Sequence, residues 1–187
     1  MTLEGARFEL SPPTERAHRS FLAAMAEFRA EGRGAATDAT MIGAEIREYG
    51  SIWATPDGFR EYLAWLHGQD REYVHRPRGY LPVPSTTLWW VRGAEYLGRI
   101  AIRHRLTTKL RDVGGHIGFD VRPSARRCGH ATAMLRSALP VARTLGIDRA
   151  LVTCDAGNVG SRRVIEANGG VLEDQRGNSL RFWLPVP

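Results

Sequence analysis

Cysteine, lysine and long apolar runs are scarce in this chain of 187 residues, and each scarcity excludes a class of protein. The two cysteines, Cys128 and Cys154, are too few for a disulfide scaffold and lack the spacing of metal ligands. We therefore expect a reducing compartment, the cytoplasm, and no bound metal. No run approaches the ~18 apolar residues that span a bilayer. The start, MTLEGARFEL, has neither the basic nor the apolar region of a secretory signal, so no membrane association is expected.

Positive charge is in excess but is not concentrated. The net charge is +6, and Lys109 is the only lysine, so arginine carries nearly all of the basic charge. An anionic partner such as nucleic acid and an anionic cofactor both fit such an excess. The basic residues are spread along the chain without a polybasic arm, so nucleic acid is not the expected partner. The length and the 43% hydrophobic share fit a single domain with one sizeable core.

The apolar periodicity predicts a mixed α/β domain with helices first and strands later. A short strand in RFELSPP precedes a helix from Thr14 to about Glu31, and a second helical region follows with Asp57 as its cap. TTLWWVR and EYLGRIAIRH are expected to form a hairpin, and a polar connection at 109–113 leads to the strand HIGFDV. The remainder alternates between helix and strand. No linker interrupts the pattern, so residues 1–187 are expected to form one domain.

The stretch RRCGHATAML, residues 126–135, places two arginines and a glycine where a helix begins. A helix N-terminus exposes about four N–H groups without partners and carries roughly half a positive charge, which suits a phosphate. Gly129 lets the backbone approach an anion without a Cβ, and Arg126 and Arg127 add charge at the rim. The Gly-Lys-Ser/Thr ending of ATP-binding loops is absent. A plain strand-to-helix turn with solvated arginines explains the short pattern equally well.

Together with its flanks, this turn resembles the pyrophosphate loop of the GCN5-related N-acetyltransferase (GNAT) superfamily. The signature Arg/Gln-x-x-Gly-x-Gly/Ala matches Arg126, Gly129 and Ala131, and HIGFDVRPSARRCGHATAMLRSALPVARTLGI resembles the strand, loop and helix of the family in order. Downstream, LVTCDAGNVGSRRVIEANGG resembles its next strand and helix. The resemblance is clear over residues 87–184 and loose over residues 1–86.

The resemblance implies a central mixed sheet, mostly antiparallel, with helices on both faces and two parallel strands, HIGFDV and ALVTCD, that splay apart at the cofactor site. Residues 87–187 would form the acyl-CoA-binding core, and residues 1–86 the variable acceptor side. Acetyl-CoA, or another short acyl-CoA, is the implied co-substrate. Asn158 fits a helix N-cap as well as a cofactor contact. The residues implied to bind the cofactor are Phe119, Val121, Arg126, Arg127, Cys128, Gly129, His130, Ala131, Asn158 and Ser161.

The implied chemistry is direct attack of an amine on a thioester, which needs an acceptor for the amine proton. The glutamate that many members use as a base falls at His116, whose unperturbed pKa near ~6.5 suits a base at neutral pH. A histidine bonded within the sheet is the other interpretation, and Asp120 and His104 are weaker candidates for the base. The tyrosine that many members use as a general acid falls at Ile165. Ser161 and Cys154 are therefore candidate proton donors, although a structural role explains each of them as well.

The sequence thus predicts an N-acetyltransferase acting on a primary amine of a small molecule or a peptide, as a monomer or a homodimer. Two alternatives stay open. A catalytically silent acyl-CoA-binding module is favoured by the missing tyrosine. A transferase of the same fold that takes its acyl group from aminoacyl-tRNA is favoured only by the net charge.

The aromatic residues of the first half are expected either to line an acceptor pocket or to form core. Because neighbours on a strand face opposite ways, the adjacent tryptophans of TTLWWVR must point to different faces of the sheet. Glu45 and Glu48 are expected to attract a cationic amine or to form a solvated helix face. The aromatic residues concerned are Tyr49, Trp53, Trp65, Tyr80, Trp89 and Trp90.

Overall fold

The computed structural model describes residues 7–72, 75 and 83–187. Within them the strands are Phe8–Ser11 (β1), Ser85–Arg92 (β2), Glu95–Arg103 (β3), Ile117–Val121 (β4), Arg149–Asp155 (β5), Val171–Arg176 (β6) and Ser179–Pro185 (β7). The α-helices are His18–Ala30 (α1), Met41–Tyr49 (α2), Pro56–His67 (α3), Thr108–Asp112 (α4), His130–Thr144 (α5) and Val159–Glu166 (α6).

All seven strands form one sheet, in the order β1-β2-β3-β4-β5-β7-β6. Neighbouring strands run antiparallel except β4 and β5, which are parallel. These two strands share the single register pair Ile117↔Val152. Beyond it β4 pairs only with β3, and β5 only with β7. The mixed α/β fold with a splayed parallel pair is thus confirmed, and the splay leaves a gap in the middle of the sheet.

The two faces of the sheet carry different cores. Trp89 and Trp90 point to opposite faces, as predicted, and both are buried. The core beside α5 and α6 is mainly aliphatic, with residues such as Ile100, Ile117, Leu135, Val152 and Leu184. The core beneath α1, α2 and α3 is rich in aromatic rings, among them Phe21, Trp53, Phe59, Tyr62, Trp89 and Tyr96.

Most of the predicted aromatic wall belongs to this second core. Tyr49, Trp53 and Trp89 are all buried there, so packing accounts for them. Trp65 is half-buried and donates its indole N–H to the carbonyl of His75 at 2.9 Å. Tyr80 lies outside the described residues.

Capping side chains set the helix boundaries, and two predictions are wrong. Thr55, not Asp57, caps α3: its hydroxyl accepts the N–H of Gly58 at 3.1 Å, and Pro56 occupies the first turn, where no N–H is needed. The connection at 109–113 contains the short helix α4, whose cap is the hydroxyl of Thr107. The helix expected from Thr14 is present, opening with a 3-10 turn before α1.

Glu45 and Glu48 have different environments on α2. Glu45 is buried, forms an ion pair with Arg99 of β3, and accepts a hydrogen bond from the hydroxyl of Tyr62 at 2.6 Å. A solvated face therefore does not describe Glu45. Glu48 is exposed and contacts His75 at 3.1 Å.

Candidate functional site

The turn before α5 has an unusual backbone. Gly129, the N-cap, has φ 80°, and Arg127 has φ 63°. Arg127 is the one non-glycine residue with a positive φ in the described part of the chain, a conformation that costs roughly 1–3 kcal/mol. Alternation of left- and right-handed residues turns successive N–H groups towards one side and makes an anion-binding concavity.

The backbone N–H groups of this turn have no acceptor in the described part of the chain. α5 has no side-chain cap, and no described residue accepts a hydrogen bond from the N–H of any residue from Arg127 to Thr132. Unpaired donors of this kind are ordinarily satisfied by water, side chains or ligands. Added to the dipole of a helix, they form a site for a phosphate.

The two arginines of the turn are used differently. Arg126 forms a bidentate ion pair with Glu31, the C-cap of α1, with N–O distances of 2.6 and 2.8 Å. Arg127 is exposed and has no partner among the described residues, so its guanidinium is available at the rim. A side-chain contact of Arg126 with the cofactor stays a prediction.

His130, the first residue of α5, turns its ring towards β1 and β2. Its Nδ1 accepts the indole N–H of Trp90 at 3.3 Å, and its ring centroid lies 4.8 Å from that of Phe8. Burial, followed by the charge of Arg92, lowers the pKa of His130. The residue therefore adds a neutral ring to the start of the helix.

The other residues predicted to bind the cofactor lie on β4, in the turn before α5 and at the start of α5. Phe119 and Val121 are half-buried on β4, past its register pair with β5. Cys128 is exposed, and its thiol contacts the carbonyl of Arg126 at 3.5 Å. Ala131 keeps the first turn of α5 small. Together they border the edge of β4 and the run of unpaired N–H groups.

The start of α6 lies after β5. Asn158 is its N-cap, because the side-chain oxygen accepts the N–H of Ser161 at 3.0 Å. The amide NH₂ of Asn158 has no partner among the described residues, so capping and a cofactor contact are compatible. Ser161 is half-buried. Ile165, in the register of the expected tyrosine, is fully buried in the aliphatic core.

His116 is bonded within the sheet at the point where the strands part. The ring Nδ1 accepts the backbone N–H of Leu151 at 3.0 Å, and the backbone N–H of His116 donates to the carbonyl of Leu151 at 2.7 Å. Burial, assisted by Arg111 and Arg103, lowers the pKa of His116 to about 4. The ring is therefore neutral at pH 7, and because Nδ1 accepts a hydrogen bond, Nε2 carries the proton. No hydrogen bond joins His116 to Ser161 within the described structure.

Asp120 lies further along β4, opposite Arg99 of β3. The half-buried carboxyl receives no hydrogen bond from any described residue. Burial raises the pKa of Asp120, and the opposing charges of Arg99 and Arg33 do not cancel this effect. A carboxyl whose pKa is raised and which receives no hydrogen bond from the described residues accepts a proton more readily than an ordinary aspartate.

Two carboxylates, Glu27 on α1 and Glu31 at its C-cap, were missed by the sequence analysis. Glu27 accepts hydrogen bonds from Arg122 and Ser124, and Glu31 pairs with Arg126, so both contact the segment that leads into the turn. Their spacing of four residues, on one side of a predicted helix, was the available signal. Across the described residues, no group of three or more His, Cys, Asp or Glu side chains is arranged to hold a metal ion, and no helix is long and apolar enough to cross a bilayer.

Comparison with known proteins gives a family match. Residues 7–171 match the family model described as "Acetyltransferase (GNAT) domain". No curated protein gives a significant match to the chain.

Solved structures share the fold at low sequence identity. A ribosomal-protein-S5-alanine acetyltransferase from Vibrio fischeri has 11% identity and a TM-score of 0.63, with 100% of this chain and 97% of that chain covered. The microcin C7 self-immunity acetyltransferase MccE, in complex with acetyl-CoA and AMP, has 10% identity and a TM-score of 0.61, with coverage of 97% and 94%. RimJ from Mycobacterium smegmatis, in complex with CoA-disulfide, has 18% identity and a TM-score of 0.58, with coverage of 94% and 80%.

Proposed function

The chain belongs to the GNAT acetyltransferase family, and we propose that it moves an acetyl group, or a close short acyl group, from CoA to a primary amine. The observation that carries the proposal is the run of N–H groups from Arg127 to Thr132, at the N-terminus of α5, for which the described residues provide no acceptor. Bound cofactor would supply an activated acetyl thioester that the amine attacks directly.

The residues present fit such a cofactor. The N–H groups of the turn and the guanidinium of Arg127 would hold the pyrophosphate. The edge of β4 at Phe119 and Val121 would accept the pantetheine arm as an added strand, because β4 and β5 have parted there. The free NH₂ of Asn158 would contact the same arm. Positioning of the two reactants is the main contribution asked of the protein.

We further propose that Asp120, rather than His116, accepts the proton of the amine. Asp120 has a raised pKa and receives no hydrogen bond within the described residues, whereas Nδ1 of His116 accepts the N–H of Leu151. A ring whose pKa is about 4 is a weak base at neutral pH. The role of Ser161 as a proton donor stays a prediction.

Binding and turnover test the function in two steps. Calorimetric titration of acetyl-CoA should give a Kd on the order of micromolar, about −8 kcal/mol, with no binding of ATP as the control. A panel of small amines and peptide N-termini should then release CoA thiol in the presence of enzyme. Binding without turnover on any amine would favour the silent module, and absence of binding by the folded protein would move aminoacyl-tRNA to the front as donor.

The choice of base is tested with Asp120→Asn and His116→Gln. Loss of a general base typically costs 10²-fold or more, so Asp120→Asn should lower kcat by about 100-fold while the Kd of acetyl-CoA is retained. The wild-type rate should rise with pH through the raised pKa of Asp120, because the base acts only when deprotonated, and this step should vanish in the variant. If His116→Gln instead removes the step and the larger share of kcat, the assignment to Asp120 is wrong.

A further inference from the structure

The C-terminal half of α1 contacts the segment that leads into the pyrophosphate turn. Glu27 Oε1 accepts from Nε and Nη2 of Arg122 at 2.7 and 2.6 Å and from the hydroxyl of Ser124 at 3.0 Å. Its Oε2 accepts the backbone N–H of Ser124 at 2.9 Å. One carboxylate thus fixes both a side chain and the backbone of this segment.

One helical turn later, Glu31 fixes the other end of the segment. Its two oxygens accept from the two terminal nitrogens of Arg126 at 2.6 and 2.8 Å. The Arg126 guanidinium also lies 6.0 Å from the ring centroid of Phe28, and its Nε donates to the carbonyl of Val121 at 3.2 Å. Arg126 is therefore oriented towards α1, and the next residue, Arg127, is the one with φ 63°.

We propose that Glu27 and Glu31 are positioning residues that hold the turn in its anion-binding conformation before acetyl-CoA arrives. The inference rests on the proposed function, since it concerns the affinity of that same cofactor site. Residues 122–126 are fixed to α1 at both ends, so the strained conformation of Arg127 is imposed by its neighbours. A turn that is already ordered loses less conformational entropy on binding.

A contribution to global stability does not account for the contact between Glu31 and Arg126. The side chains of Glu31 and Arg126 are 37% and 42% exposed, and exposed ion pairs contribute little to folding. Electrostatics alone predicts the opposite effect on binding, because two carboxylates near a phosphate site repel the phosphate. The sign of the change in affinity therefore separates the two interpretations.

The test is calorimetric titration of acetyl-CoA into Glu27→Gln and Glu31→Gln beside the wild type. We expect Kd to rise about 10-fold for Glu27→Gln, within the range set by the strain of one residue. For Glu31→Gln, whose ion pair is more exposed, we expect a rise of about 3-fold. Asp148→Asn removes a carboxylate of equal charge from the exposed Arg143–Asp148 pair after α5 and should leave Kd unchanged.

Each outcome has a distinct meaning. Unchanged or tighter binding by both glutamine variants would overturn the inference, whereas absence of binding by the wild type would overturn the proposed function. If Glu27→Gln fails to fold, Ser124→Ala takes its place in the same titration, because it removes only the hydroxyl that donates to Glu27. Amide hydrogen exchange gives the second readout: without cofactor, exchange at 127–131 should accelerate in both glutamine variants. The thermal midpoint should shift little in Glu31→Gln, whose ion pair is exposed. A variant that weakens binding with exchange at 127–131 unchanged would also contradict the proposal.

Discussion

Two loops of this protein have similar compositions but differ in whether their backbone N–H groups have acceptors. The first loop, residues 31–40 (EGRGAATDAT), leads into α2, and the second loop, residues 126–129 (RRCG), leads into α5. Each contains arginine and a glycine with positive φ, 88° at Gly34 and 80° at Gly129. The first loop is closed by its own side chains, whereas the second has a run of donors without acceptors.

One carboxylate accounts for the difference. Asp38 accepts the N–H of Gly34 at 2.9 Å, the N–H of Thr40 at 3.0 Å and the Thr40 hydroxyl at 2.7 Å, and it lies 3.7 Å from Arg33. Burial alone would raise the pKa of Asp38, but these hydrogen bonds outweigh it and lower the pKa. The second loop contains no acidic residue. An anion site is therefore left open in the loop that has no acidic side chain of its own to accept its N–H groups.

The largest effect is expected from giving the second loop an anion. Gly129→Asp places a carboxylate among the N–H groups, where it repels phosphate, and should weaken acetyl-CoA binding by about 100-fold or more in calorimetry. Gly146→Asp is the matched control, since Gly146 also has φ 80° and free space around a Cβ, but lies after the C-terminus of α5. Equal loss in both variants would show that strain, not charge, is responsible.

The next effect comes from removing the anion of the first loop. Asp38→Ala leaves two N–H groups and a hydroxyl without their acceptor, so the free energy of unfolding should fall by about 2 kcal/mol in urea denaturation. Because the folded pKa is lowered, this contribution is present above the unfolded pKa near 3.8 and is lost as pH falls through the folded value. Asp57→Ala is the control, because among the described residues its carboxylate pairs only with the exposed Arg60. Equal losses in both variants would contradict the role given to Asp38.

The smallest effect distinguishes the arginines of the two loops. Arg127→Ala removes a guanidinium with no partner among the described residues and should raise the Kd of acetyl-CoA about 5-fold, with a weaker dependence of Kd on salt. Arg33→Ala removes a partner of Asp38 and should leave Kd unchanged. A similar loss in both variants would mean that general positive charge, rather than Arg127, attracts the cofactor.

Local patterns in the sequence were enough for most of the fold. Alternation in TTLWWVR and the glycine at 129 both act over a few residues, so the strand and the turn were predictable. The cap of α3 was predicted at Asp57 but is Thr55, because Pro56 lacks an N–H and therefore suits the first turn of the helix. The helix α4 was missed because its residues show no apolar period.

The contacts that order the site were beyond such patterns. Glu27 and Ser124 lie 97 residues apart, and a glutamate on a helix reads as solvated until its partner is placed. Glu45 was misjudged for the same reason, because its partner Arg99 belongs to a strand 54 residues later. The pKa of His116 could not be predicted either, because it is lowered by burial and by the charges of Arg111 and Arg103, and these depend on the tertiary structure.

The single register pair between β4 and β5 also divides the sheet into two mechanical units. Strands β1 to β4 form one unit, and β5, β7 and β6 form the other. The seam between β4 and β5 is joined at the register pair Ile117↔Val152. Beyond this pair, the amide hydrogens that face the seam lack the ladder that slows exchange elsewhere in a sheet, so they should exchange with solvent early in a deuterium time course. A ligand that pairs with the seam like a strand would slow that exchange and join the two units into one.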